Sequence, residues 1–83
     1  MVVVKVLFFA KARELSGLKE DHLTLPQSID YNSLIELLTS KFNLQPIKGN
    51  FIIALNEEYI PVGENVILKD ANILAIIPPL SGG

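Results

Sequence analysis

Ile73-Leu74-Ala75-Ile76-Ile77-Pro78-Pro79-Leu80-Ser81-Gly82-Gly83 closes the chain, and its two halves obey different rules. Five apolar residues without a charge read as a strongly buried last strand. Proline has no backbone N–H and a fixed φ, so Pro78-Pro79 ends sheet pairing and sends the chain outward in an extended form. Ile77 precedes a proline and is itself held extended. Leu80 and Ser81 follow, then two residues with no side chain. The sequence thus predicts a folded body over 1–77 and a flexible tail over 78–83, stiff at its root and slim at its tip. Such a tail suits a narrow channel where a Cβ at the last positions would collide.

Upstream of that strand, the periodicity changes several times. Met1 to Phe9 is rich in β-branched and aromatic residues and predicts a strand, with Val4, Val6 and Phe8 on one face and Lys5, Leu7 and Phe9 on the other. Ala10 to Ser16 predicts a short helix with Ala12 and Leu15 inward, ended by Gly17 in the left-handed conformation. His22-Leu23-Thr24-Leu25 alternates and predicts a strand paired with the first, stopped by Pro26. Asp30 is placed to cap a helix carrying one apolar stripe, Tyr31, Leu34, Leu38 and Phe42, which ends near Asn43. Phe51 to Leu55 predicts a strand buried on both sides, Tyr59 to Val62 an edge piece, and Val66 to Leu68 a brief strand. A small α+β domain accommodates this order, with a mixed sheet wrapped around one main helix as in the ubiquitin-like β-grasp.

Composition bounds the function. With 83 residues there is room for one domain, and 49% hydrophobic residues supply its core. The chain has no cysteine, so neither a disulfide framework nor a thiolate zinc site is available, which fits a reducing, cytoplasmic setting. A net charge of −2 disfavours nucleic acid as a partner. No apolar run approaches the roughly 20 residues of a membrane span, and Lys5 interrupts the opening run too early for a signal peptide.

At the tip of the tail the one reactive group is the α-carboxylate of Gly83, a poor electrophile until it is adenylated. A sulfur nucleophile can then convert the acyl-adenylate to a thiocarboxylate. Average usage would place two prolines and two glycines at these four positions in only about one chain in 10⁵, so an inert end explains the pattern poorly.

The tail, together with Val6-Leu7-Phe8-Phe9-Ala10, Arg13-Glu14-Leu15 and Gly17, resembles the small, sulfur-carrying subunit of molybdopterin synthase over nearly the whole chain. The resemblance implies that Gly83 is adenylated by an enzyme like those that activate ubiquitin, at the expense of ATP, and then thiocarboxylated. Pro78, Pro79, Leu80, Ser81 and Gly82 would thread into a large catalytic subunit, where the sulfur passes to a pterin precursor and builds the molybdopterin dithiolene. Two carriers on a synthase dimer would form a heterotetramer. The carrier would bind no cofactor stably and no metal, and would be no enzyme on its own. The outer side of the first strand at Phe9, with Arg13 and Ile76, resembles the family's docking patch, and alternation alone leaves open whether Ile76 or Ile77 faces the partner. The family usually has Asp-Gly before the last strand, whereas this chain has Asp70-Ala71, and alanine resists a positive φ at a cost of about 1 kcal/mol.

Two neighbouring readings remain open: a ubiquitin-like modifier conjugated to lysine through Gly83, and a sulfur carrier of the thiamine type. The single histidine, His22, has no companion ligand and reads as an ordinary strand residue. Ser81 has no base beside it in the sequence, so it reads as a hydrogen-bonding group rather than a nucleophile.

Overall fold

The computed structural model describes residues 1–78; the predicted tail residues Pro79, Leu80, Ser81, Gly82 and Gly83 lie outside the described residues. Pro78 is buried, so the body extends one residue past the predicted boundary at Ile77.

The first strand, β1, spans Val2–Phe8, and its parity is the predicted one: Val2, Val4, Val6 and Phe8 are buried while Val3, Lys5 and Leu7 face outward. Helix α1, Ala10–Ser16, ends at Gly17, whose φ of 74° lets its N–H reach the Arg13 carbonyl at 2.9 Å. Strand β2, Glu20–Leu25, runs antiparallel to β1. Strand β3, Ser28–Asp30, leads into helix α2, Tyr31–Phe42. Asp30 caps that helix: its carboxylate accepts from the Ser33 N–H at 3.0 Å and the Ser33 hydroxyl at 2.7 Å. Asn43, at φ 59°, closes it. After a 3₁₀ turn at Gln45–Ile47 come β4 (Ile52–Leu55), β5 (Glu58–Tyr59), β6 (Asn65–Ile67) and β7 (Ile73–Ile77).

The main sheet has the order β2-β1-β7-β4-β5. The last strand therefore lies centrally, parallel to β1 and antiparallel to β4, which is why it carries no charge. One sheet face packs on α2 through Tyr31, Leu34, Leu38 and Phe42, and the rings of Phe8 and Phe42 meet edge to face at 4.7 Å. This is the β-grasp arrangement.

Three local features differ from the sequence reading or extend it. In β4 the adjacent Ile53 and Ala54 are buried on opposite faces, as expected, but Ile52 at its start is 43% exposed, so the burial on both sides does not extend along the whole strand. β6 pairs with β3 in a separate two-stranded ribbon, and β3 is too short for a periodic signal. Ala71 does take the left-handed conformation, at φ 70°. The turn is tied to β1, since the Val3 N–H donates to the Asp70 carboxylate at 2.8 Å and the Ala71 N–H donates to the Val3 carbonyl at 3.0 Å. No helix among the described residues is long and apolar enough to cross a membrane.

Candidate functional site

Among the described residues, no layer covers the sheet face turned away from α2. Cross-strand register places Leu7 beside Ala75, Ala75 beside Ala54, and Ala54 beside Tyr59, in one row across four strands. Two alanines at the centre of that row leave a depression of about 450 Å³. Leu7, Phe9, Ile73, Ile77 and Tyr59 wall it, with Asn56 and Glu57 at one rim. An apolar hollow with a polar rim is the pattern of a partner surface.

Each wall residue is set by backbone geometry. Phe9 stands in an extended conformation at the N-terminus of α1, 47% exposed, while its carbonyl accepts from the Ala12 N–H at 3.0 Å. Tyr59 follows a two-residue turn in which Asn56 (φ 48°) and Glu57 (φ 73°) are both left-handed. Asn56 also joins that turn to β7: its N–H donates to the Ile73 carbonyl at 2.8 Å, and its side-chain oxygen accepts from the Ile73 N–H at 2.9 Å. On the opposite flank, Lys5 pairs with Glu20 at 3.1 Å, directly beside exposed His22.

The predicted docking residues separate. Phe9 lines the depression. Arg13 is exposed but lines a neighbouring shallow surface with Glu14, Gly17 and Lys19. Ile76 must be corrected: it has no exposed surface, because Leu74 and Ile76 point toward α2 while Ile73, Ala75 and Ile77 point outward. Ile77 is the residue that lines the hollow, and Pro78 follows it directly. The sequence reading missed Tyr59, Ala54, Ala75 and Ile73 as parts of this surface. The two alanines signal a hollow only once register places them side by side.

The site contains apolar walls and an amide–carboxylate rim, with no nucleophile beside a base, so it is equipped to bind rather than to react. Among the described residues no cluster of His, Cys, Asp or Glu could share a metal ion. Away from this site, the Ser33 hydroxyl, followed by the Ser33 N–H, holds the Asp30 carboxyl below the usual carboxylate range.

Comparison with known proteins agrees in extent as well as in kind. The model of the ThiS family matches residues 6–83. The chain is 51% identical to the molybdopterin synthase sulfur carrier subunit of Drosophila yakuba, over 100% of this chain and 93% of that protein. Among solved structures, the complex of subunits 1 and 2 of the molybdopterin-converting factor from Helicobacter pylori contains a chain 27% identical to this one, with a TM-score of 0.70 and coverage of 99% and 100%. The small archaeal modifier protein 1 of Methanosarcina acetivorans is 28% identical, with a TM-score of 0.74 and coverage of 100% and 98%. With its grasp of one helix by a mixed sheet and a family match that runs to the final glycine, the chain belongs to the ThiS family and, within it, to the sulfur carrier subunits of molybdopterin synthase.

Proposed function

We propose that the chain carries sulfur as a thiocarboxylate on Gly83 and delivers it to a pterin precursor. The observation that carries this reading is that the family match extends to residue 83, so the Gly-Gly end lies inside the family pattern. The Gly83 carboxylate attacks the α-phosphorus of ATP in an activating enzyme, forming the acyl-adenylate and releasing pyrophosphate. A sulfur donor at the hydrosulfide level then displaces AMP. The resulting thiocarboxylate is a strong nucleophile: its sulfur attacks an electrophilic carbon of the pterin precursor and displaces an oxygen leaving group, and hydrolysis of the thioester so formed leaves sulfur on the pterin and restores the carboxylate.

The outer hollow supplies the docking face. A large subunit covers Phe9, Ile77 and Tyr59, and the tail that follows Ile77 enters that subunit's reaction centre. The Helicobacter complex of subunits 1 and 2 supports a protein partner, since a chain of the same fold is there joined to a second subunit. Two such pairs would give a heterotetramer.

Incubation with activating enzyme, ATP and a sulfur donor tests the chemistry. The C-terminal peptide should gain the mass difference of sulfur for oxygen, and an unchanged mass removes the proposal. The likeness to the archaeal modifier favours one second reading, conjugation through Gly83 to lysine. Lysine-linked adducts in cells that vanish on deleting Gly83 would establish it.

A further inference from the structure

A second groove lies round the β5 edge from the hollow. One wall is Glu58 to Pro61 and the other is Asn65 to Ile67. In an antiparallel pair, each residue's N–H and C=O point together, alternately toward the neighbouring strand and away from it. The Ile60 N–H donates to the Ile53 carbonyl at 2.9 Å, and Tyr59 lies opposite Ala54, so the main chain of Tyr59 points away from β4. The Leu68 N–H donates to the Gln27 carbonyl at 2.7 Å, and the Tyr31 N–H to the Glu64 carbonyl at 3.1 Å. The intervening Asn65 and Ile67 therefore point their main-chain groups away from β3. Among the described residues no strand pairs with either edge.

The side chains beside these edges are apolar and open: Tyr59 is 70% exposed and Ile67 62%. Unpaired edges are ordinarily blunted by lysine, proline or a bulge. Here Pro61 alone does so, no lysine lines the groove, and its one charged lining residue, Glu58, is negative and exposed, with exposed Glu57 and Glu64 next to the lining residues in sequence and exposed Lys69 two residues past Ile67. Tyr59 lines both this groove and the outer hollow, so the two surfaces are continuous.

We propose that the β5–β6 groove receives an extended segment of the large partner subunit, apolar at its centre and flanked by Lys or Arg. The segment pairs its main chain with Ile67 and Asn65 and buries the side chains of Ile67 and Tyr59. This inference rests on the outer hollow being the docking face for the same subunit.

Binding to the purified large subunit, read by calorimetry and amide hydrogen exchange, tests it. In the complex the Asn65 and Ile67 amides should exchange at least about 10-fold more slowly than in the free chain. Ile67→Glu, at an exposed position that leaves the fold intact, should weaken binding by about 10-fold or more, and Ile67→Val by less than about 3-fold. Wild-type affinity in Ile67→Glu with unchanged exchange at both amides overturns the groove while the outer hollow stands. No binding by the wild-type chain removes the docking face and the groove together. A wild-type homodimer that Ile67→Glu converts to monomer makes a second copy the occupant and overturns the proposal.

Discussion

At the scale of single residues, two positions set measurable energies. Ala71 is left-handed at φ 70° because the Asp70 and Ala71 bonds to Val3 demand that turn, and its Cβ is strained there. Ala71→Gly should therefore raise the unfolding free energy by about 0.5–1 kcal/mol, the relief exceeding the entropy glycine adds to the unfolded chain. Urea unfolding midpoints at constant slope measure it, and an unchanged or lower midpoint refutes the strain. Asp30 carries a pH dependence. Its carboxyl is held low in the fold by the Ser33 hydroxyl and then the Ser33 N–H, so the folded chain binds a proton less readily than the unfolded one. The stabilisation is fully present above the ordinary aspartate pKa of about 3.9 and is lost as pH falls through the lowered folded value. In Asp30→Asn the side-chain oxygen still caps α2 but no longer titrates, so the fall in urea midpoint below about pH 4 should be shallower than in the wild type. Parallel acid limbs would mean that the cap contributes no linkage.

Among the elements, β7 concentrates the most, because adjacent residues of one central strand serve opposite faces. Ile76 has no exposed surface and packs in the core, whereas Ile77 walls the hollow. Ile76→Ala should cost about 2–5 kcal/mol of stability through the cavity it leaves. Ile77→Ala should cost about 1 kcal/mol or less and instead weaken docking to the large subunit. Thermal unfolding and binding measured on the same two variants separate the effects; equal stability losses would mean that the faces are wrongly divided. This division also marks how far sequence could reach. The elements themselves were legible because their signals are local: the Asp30 cap, the Tyr31-Leu34-Leu38-Phe42 stripe, the Gly17 stop and the alternation of β1. The fully apolar Ile73 to Ile77 run announced a strand but, having no polar positions, could not tell Ile76 from Ile77. Pairing across distant segments was not legible at all. Ala54 and Ala75 become one floor, and β3 finds β6, only through contacts that no local period encodes.

For the molecule as a whole, the hollow and the last five residues of the sequence are joined through Pro78, since Ile77 walls the hollow and buried Pro78 follows it directly. Five residues follow Pro78, and covalent geometry lets them reach at most about 17 Å. On the proposed function, a large subunit that grips the hollow therefore fixes how far the reactive carbon of Gly83 can extend into it. Docking and reach are separable properties of one chain. Deleting Leu80 withdraws Gly83 by about 3.5 Å and leaves Phe9, Ile77 and Tyr59 untouched. The truncated carrier should bind the large subunit within about 3-fold of wild type, because the deletion leaves every wall residue of the hollow in place. Its thiocarboxylate should transfer sulfur in a single turnover at least about 100-fold more slowly, since a misplacement of about 1 Å already carries a penalty of that order. Pre-forming the thiocarboxylate before mixing keeps the activating enzyme out of the measurement. Transfer at a near wild-type rate would show that the tail's length is not set by the grip on the hollow. Loss of binding together with transfer would show that the tail, rather than the sheet face, holds the two proteins together.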